Sequence, residues 1–248
     1  MKKLIPIFIV ALLLRFYSFD QNIAFSAEMG VTFLDIKNIV SNGQNALVGP
    51  ATSHPWLHLG PLFYWLFIPV FLISGFNPTV PVFILTGLSA IVVLENYFVI
   101  KRIFDERMAL ISSYLVAVSP YFVYHAKISQ YYSLVLLFFY PFLYFIYSNW
   151  LWAGLFLGII LNFHLSAVVL IPGSLVFMIV RRQFNAKNIR RFLGGILLFQ
   201  SMFVFGNLKF FLWLPYRVIT HATTTDLPQT LITFVLSAFV PYGSFFPR

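Results

Sequence analysis

Long apolar segments separated by short polar breaks are the feature that most restricts the folds open to this chain. They cover residues 4–19, 59–76, 79–100, 108–124, 132–148, 151–162, 163–180, 192–214 and 227–242. About 20 apolar residues of helix cross a bilayer, and fewer suffice where flanking polar side chains reach the interface. Because only 9% of the 248 residues are charged, the chain cannot cover a water-exposed surface. The sequence therefore predicts an all-α, polytopic transmembrane helix bundle, with residues 1–248 as a single domain.

Basic residues identify the cytoplasmic side. Ten of the 16 Lys and Arg residues lie in three clusters, at residues 2–3, 101–107 and 181–191. Such clusters mark cytoplasmic loops, so the formal charge of +9 requires no nucleic acid partner. The first 28 residues also fit a secretory signal, but Arg15 and the bulky Phe25 favour an uncleaved first helix with a cytoplasmic N-terminus. The absence of cysteine excludes disulfides and thiolate metal sites.

When each loop is assigned to one side of the membrane, one apolar segment is left that does not cross the bilayer. If the first helix exits, residues 20–58 form an external loop, whereas residues 101–107 are internal by their charge. Two apolar segments separate them, which is one too many. Segment 59–76 contains Pro61 and Pro69, and we expect it to lie along the outer face. The alternative is that it spans and that the charge rule fails there.

An acidic stretch in this external loop predicts a short amphipathic helix. Its apolar spacing favours a helix from about Glu28 to Asn42-Gly43, a typical C-terminal signal. Glu28 and Asp35 are seven residues apart, so they share a face. Other polar side chains are predicted on the same outer side of the protein, namely Asp20, Lys37, His54, His58, His125, Lys127, His221 and Asp226.

These side chains fit chemistry on a phosphorylated lipid. A carboxylate against apolar surroundings can act as a general base. Lys37 or Lys127 could neutralise a phosphate, and His or Asp side chains could hold a divalent metal. Taken singly, each has an ordinary role as well, since a Glu in a first helical turn complements the helix dipole.

Six short motifs occur in a characteristic order. They are "LRFYSF" (14–19), "EMG" (28–30), "GPATSHPWLHLGPLFYWL" (49–66), "KRIFDER" (101–107), "SPYFVYHAK" (119–127) and "LNFHLS" (161–166). Through them the chain resembles the GT-C fold glycosyltransferases, especially the prokaryotic membrane proteins grouped with dolichyl-phosphate-mannose protein mannosyltransferases (family 39-like). The resemblance covers residues 10–215.

The resemblance implies a function and a site. A sugar would be transferred from a polyprenyl phosphate to a protein, lipid or glycan acceptor at the external face of the cell membrane, with inversion and with Glu28 as general base. External juxtamembrane helices in the first loop are also implied. We expect the substrate-binding side chains to be Asp20, Asp35, Lys37, His54, His58, Lys127, Gln130 and Tyr131.

Departures from the family pattern keep other hypotheses open. Glu28 stands where the usual acid is Asp, and Lys127 stands where Arg is usual. Residues 128–133 lack a second acid, so a divalent metal stays only an option. Because the chain is shorter than family members, it could be a non-catalytic truncated remnant or a partner subunit. A transporter subunit would need ionisable side chains at mid-depth, where only Glu95 comes close.

Overall fold

Helices form all the regular structure in the part of the chain that the computed structural model describes, residues 2–43, 46–52, 57–128 and 133–208. The helices are α1 (Leu4–Phe16), α2 (Phe19–Asn22), α3 (Ala27–Asn42), α4 (Leu62–Ile73), α5 (Thr79–Ile103), α6 (Glu106–Val118), α7 (Pro120–His125), α8 (Leu134–Ile146), α9 (Trp150–Phe163), α10 (Leu170–Val180) and α11 (Ala186–Gly206). A 3-10 turn, Leu165–Val169, joins α9 to α10. The predicted all-α class is confirmed. The predictions for His54, Gln130, Tyr131, His221, Asp226 and segment 227–242 fall outside the described residues.

Two of the described helices, α5 and α11, are long and apolar enough to cross a membrane by length and composition. The other apolar helices are shorter, and local sequence explains why. Predicted segment 108–124 is divided because Pro120 lacks an N–H and begins a new helix, α7. In segment 59–76, α4 has 12 residues and is about 18 Å long, well short of a hydrocarbon core of about 30 Å.

Helix α3 has the boundaries that its sequence predicts. The Ser26 hydroxyl accepts a hydrogen bond from the Met29 N–H at 3.2 Å and so caps the first turn. Gly43 ends the helix with a φ of +61°, a left-handed conformation that glycine adopts without strain. The predicted amphipathic helix in the first loop is therefore confirmed to within a residue.

Glycine residues allow α9 and α11 to pack backbone against backbone. A Cβ at Gly154 of α9 would clash with the Phe192 carbonyl, and one at Gly195 of α11 would clash with the Leu151 carbonyl. Small residues at such crossings let membrane helices approach closely. Helix α9 also packs against α8, and α5 packs against α1, α6 and α8. Helix α4 contacts both α3 and α9, and so links the first loop to the helix that precedes the 3-10 turn.

Candidate functional site

The buried face of α3 attaches the first loop to the bundle. It presents Met29, Thr32, Phe33 and Ile36 at helical spacing. The apolar members join a core cluster with four aromatic side chains of α4, namely Phe63, Tyr64, Phe67 and Phe71. The opposite face leaves Glu28 and Lys37 exposed. The amphipathic pattern thus places the predicted catalytic acid on the open side of a helix whose other side is fixed.

Glu28 lies near His164, the residue at the C-terminal end of α9. The Glu28 carboxylate raises the pKa of His164, but burial of the ring has the larger effect, so the pKa lies below its ordinary 6.5. By surface area the His164 side chain is nevertheless exposed, so its desolvation is only partial, and its Nδ1 is 2.5 Å from the Ser166 hydroxyl. An electrostatic interaction therefore connects the first-loop acid with the "LNFHLS" turn. Sequence analysis did not select His164 itself, although it stands in a motif that was singled out.

Asp35 is engaged by the neighbouring helix. The Tyr64 hydroxyl of α4 donates a hydrogen bond of 2.7 Å to its Oδ2. Asp35 is half-buried, whereas Glu28, two turns earlier on the same helix, is exposed. A carboxylate that accepts a short hydrogen bond from a tyrosine connects α3 to α4. Asp35 thus lies beside Glu28 along the helix but in a different environment.

Lys127 is buried, with only 7% of its surface exposed. Its Nζ donates a 2.7 Å hydrogen bond to the main-chain carbonyl of Tyr17, at the end of α1. Burial lowers the pKa of this ammonium group. The lysine that we expect to meet a phosphate therefore lies at the junction of α1 with the segment after α7, and a neutral carbonyl is its hydrogen-bond partner.

Asp20 and His58 lie in two further environments, the edge of a cavity and the end of the first loop. Asp20 is exposed at the edge of a cavity of about 570 Å³, lined also by Phe16, Phe19, Thr79, Val80 and Phe83. The His58 ring lies 3.2 Å from the Gly49 carbonyl, through Nδ1. Its main chain is held by Asn207 beyond α11, which accepts from the His58 N–H at 2.9 Å and donates to its carbonyl at 3.0 Å. Those two bonds fasten the end of the first loop to α11.

Arg15 is a buried cation that sequence analysis noted in "LRFYSF" but did not select as a site residue. Only 1% of its surface is exposed. Its guanidinium donates to the carbonyls of Val116 and Ala117, at 3.3 and 3.1 Å, in the last turn of α6. Carbonyls at a helix C-terminus lack partners within the helix and carry partial negative charge. Arg15 therefore caps α6.

A divalent metal finds no obvious set of ligands in the described part of the chain. Among those residues, no three His, Asp or Glu side chains are grouped as a metal site requires.

A family model matches a large part of the chain. The family model described as dolichyl-phosphate-mannose-protein mannosyltransferase matches residues 53–206, more than half of the chain. No curated protein and no solved structure matches the chain. The matched range includes α4 to α11, and therefore His58, Lys127 and His164.

Proposed function

Because the chain belongs to the dolichyl-phosphate-mannose-protein mannosyltransferase family, a family of membrane glycosyltransferases, we propose that it transfers a sugar from a polyprenyl phosphate to a hydroxyl acceptor. The acceptor would be a protein, lipid or glycan at the external membrane face. The observation that supports the proposal is the electrostatic influence of the Glu28 carboxylate on the His164 imidazole. This influence links an exposed carboxylate of the first loop to an imidazole at the turn after α9.

The proposed reaction is a single displacement. The Glu28 carboxylate takes the proton of the acceptor hydroxyl while the acceptor oxygen bonds to the anomeric carbon. The bond from that carbon to the phosphate oxygen breaks, and the electron pair leaves with the polyprenyl phosphate. Attack opposite the leaving group inverts the anomeric carbon. The charge that develops on the phosphate would be met by the Lys127 ammonium.

The surroundings of Glu28 suit a general base. The lowered pKa shifts His164 further towards the neutral imidazole. A neutral imidazole can hydrogen-bond a carboxylate or an acceptor hydroxyl without adding the positive charge that would weaken the base. Asp35, held by Tyr64, would support the orientation of α3. Asp20, Lys37 and His58 are proposed to contact substrate.

Turnover of a defined donor tests this function. The full chain in lipid nanodiscs would be given polyprenyl-phosphate mannose labelled in the sugar, and release or transfer of the label would be measured. We expect turnover by the wild type and a loss of about 100-fold or more in Glu28→Gln, since general-base catalysis contributes that much. The matched control is Glu106→Gln, an equally conservative change at an exposed Glu in the first turn of α6, where the carboxylate pairs with Lys101.

Each failure has a distinct meaning. Wild type that neither binds nor turns over the donor would contradict the enzyme hypothesis and favour a non-catalytic remnant or partner subunit. Full activity in Glu28→Gln would keep the glycosyltransferase and remove Glu28 as its base. A loss in Glu106→Gln equal to that in Glu28→Gln would mean that charge removal alone impairs the protein.

A further inference from the structure

Two buried cations meet the end of α1 without a carboxylate. Arg15 and Lys127 are 1% and 7% exposed. Neither has an Asp or Glu within ion-pair distance among the residues that the structure describes. Their hydrogen bonds go to neutral oxygens. A buried charge with only neutral partners has given up water without gaining an opposite charge, so it favours an anion nearby.

A chain of hydrogen bonds connects the surroundings of these two cations. The Arg15 Nε donates to the Ser89 hydroxyl at 3.2 Å, and that hydroxyl donates to the Thr86 carbonyl at 2.6 Å. The Thr86 hydroxyl is 2.8 Å from the carbonyl oxygen of Ala126, the residue that precedes Lys127. The chain of contacts thus crosses from α1 through α5 to the segment after α7.

The Lys127 ammonium closes this path into a ring. Its bond to the Tyr17 carbonyl returns to α1, two residues beyond Arg15. The main chain before Lys127 is therefore fixed by Thr86, and the far end of its side chain is fixed by α1. Arg15 contributes a second constraint, because it caps α6 immediately before the Ser119-Pro120 break from which α7 leads to Lys127.

The Thr86 hydroxyl has two acceptors for a single proton. It also lies 2.8 Å from the Val82 carbonyl, four residues earlier in α5. Within α5 that carbonyl already accepts a main-chain hydrogen bond, so the Thr86 hydroxyl is not required for the helix to form. Its distinctive contact is the one with Ala126, which joins two segments far apart in sequence. Both groups are buried, so this contact is not exchanged for water.

We propose that Thr86 is a positioning residue for the donor phosphate, acting through Lys127, with Arg15 and Ser89 holding Thr86 and α7 in register. This inference rests on the proposed function, in which Lys127 meets the phosphate. Thr86 itself does not touch the donor. Loss of its hydroxyl would let Ala126 shift, and the ammonium with it, and a charge-assisted contact to phosphate weakens when its geometry is lost.

Equilibrium binding of labelled polyprenyl monophosphate to the full chain in nanodiscs tests the inference. We expect Thr86→Val, which keeps the side-chain shape, to weaken binding roughly five- to tenfold, the equivalent of one well-placed hydrogen bond. Thr86→Ser keeps the hydroxyl and should restore binding to within roughly twofold of wild type. With polyprenyl-phosphate mannose, Thr86→Val should raise KM more than it lowers kcat, because the phosphate is bound before the reaction begins. Thr86→Ser should leave both constants close to those of the wild type.

A matched control distinguishes a specific effect of the Thr86 hydroxyl from the general effect of losing a buried hydroxyl. Ser174 of α10 is equally buried and donates to the Leu170 carbonyl of its own helix at 2.7 Å. Ser174→Ala therefore removes a buried helical hydroxyl elsewhere and should leave polyprenyl phosphate binding unchanged. If Thr86→Val gave no folded protein, Ser89→Ala would be used, because it removes the hydroxyl that connects Arg15 to the Thr86 carbonyl. This change must then weaken polyprenyl phosphate binding.

The outcomes distinguish this inference from the proposed function. Wild-type binding with an equal affinity in Thr86→Val, or an equal loss in Ser174→Ala, would overturn the positioning role and leave the glycosyltransferase proposal intact. Failure of the wild type to bind polyprenyl phosphate would instead overturn the proposed donor. Weakened binding in Thr86→Val that Thr86→Ser restores would support both.

Discussion

At the scale of single residues, neighbours from distant segments decide what a polar side chain can do. Glu28 and Asp35 belong to one helix, yet one is exposed near His164 and the other accepts a hydrogen bond from Tyr64. Glu95, in the middle of the long helix α5, has a carboxylate oxygen that is buried without a hydrogen-bond partner in the described part of the protein. Acidic side chains therefore occupy three environments of different chemistry.

The pKa of His164 should report its distance from Glu28. Since the Glu28 carboxylate raises this pKa and burial lowers it, Glu28→Gln should lower it further below 6.5. NMR titration of labelled imidazoles in the full chain would measure the change. Glu106→Gln should leave the His164 titration where it is. A rise, or no change, in Glu28→Gln would contradict the proximity of the two groups.

The lowered pKa of His164 also determines how the stability of the protein changes with pH. A histidine whose pKa is lower in the folded state binds fewer protons than in the unfolded state between the two pKa values. The contribution of neutral His164 to the free energy of unfolding is therefore complete above pH 6.5. It declines as the pH falls towards the pKa of the folded state. His164→Gln should remove this part of the acid sensitivity in thermal unfolding. Unchanged sensitivity would mean that other groups cause it.

Tyr64→Phe should weaken the attachment of α3 to α4. The change removes the 2.7 Å hydrogen bond to Asp35 and leaves a half-buried carboxylate without that donor. We expect a loss of about 1.5 to 3 kcal/mol, typical of hydrogen bonds to charged groups, measured by denaturant unfolding in detergent. Tyr114→Phe, at an exposed tyrosine of α6, should change stability little. Equal effects of the two changes would contradict the role of the bond.

At the scale of elements, close approach of two helices is fixed by the placement of glycine. Helices α9 and α11 meet where Gly154 and Gly195 leave no side chain between the backbones. The crossing in turn orients the end of α9, where His164 is found, and the end of α11, where Asn207 holds the first loop. The site therefore depends on packing that lies outside it.

Two adjacent glycines of α11 allow a matched test of this crossing. A Cβ at Gly195 would meet the Leu155 nitrogen at 2.6 Å, whereas one at Gly194 would meet nothing within 4 Å. Gly195→Ala should destabilise the protein by about 1 to 3 kcal/mol through overpacking. Gly194→Ala should be neutral or stabilise the helix by up to about 1 kcal/mol. Similar melting temperatures for the two variants would contradict the close crossing.

At the scale of the whole molecule, the orientation across the membrane is a prediction from charge. The loop that holds Glu28 is expected outside, and the turn between α5 and α6 is expected inside, beside Lys101 and Arg102. Helix α4 packs on α3 of the first loop, and its place along the outer face stays a prediction from the charge pattern. The active face would then be external.

Single cysteines can test that orientation, because the natural chain has none. Leu34 on α3 and Phe104 between α5 and α6 are 58% and 65% exposed. Leu34→Cys in intact cells should react with a membrane-impermeant maleimide. Phe104→Cys should react only after the membrane is permeabilised. The reverse pattern would place the first loop in the cytoplasm and overturn the external site.

The sequence by itself determined the helical class, the membrane character and the limits of α3. These depend on local properties, namely apolar content, helical spacing, the Ser26 cap and the Gly43 end. It also gave Glu28, Lys127 and the "LNFHLS" turn as separate features. Only the tertiary structure decided that Glu28 lies near His164, that Tyr64 holds Asp35, and that Arg15 is buried against α6. Those contacts join segments far apart in the chain, and their geometry follows from how the helices pack rather than from any local pattern.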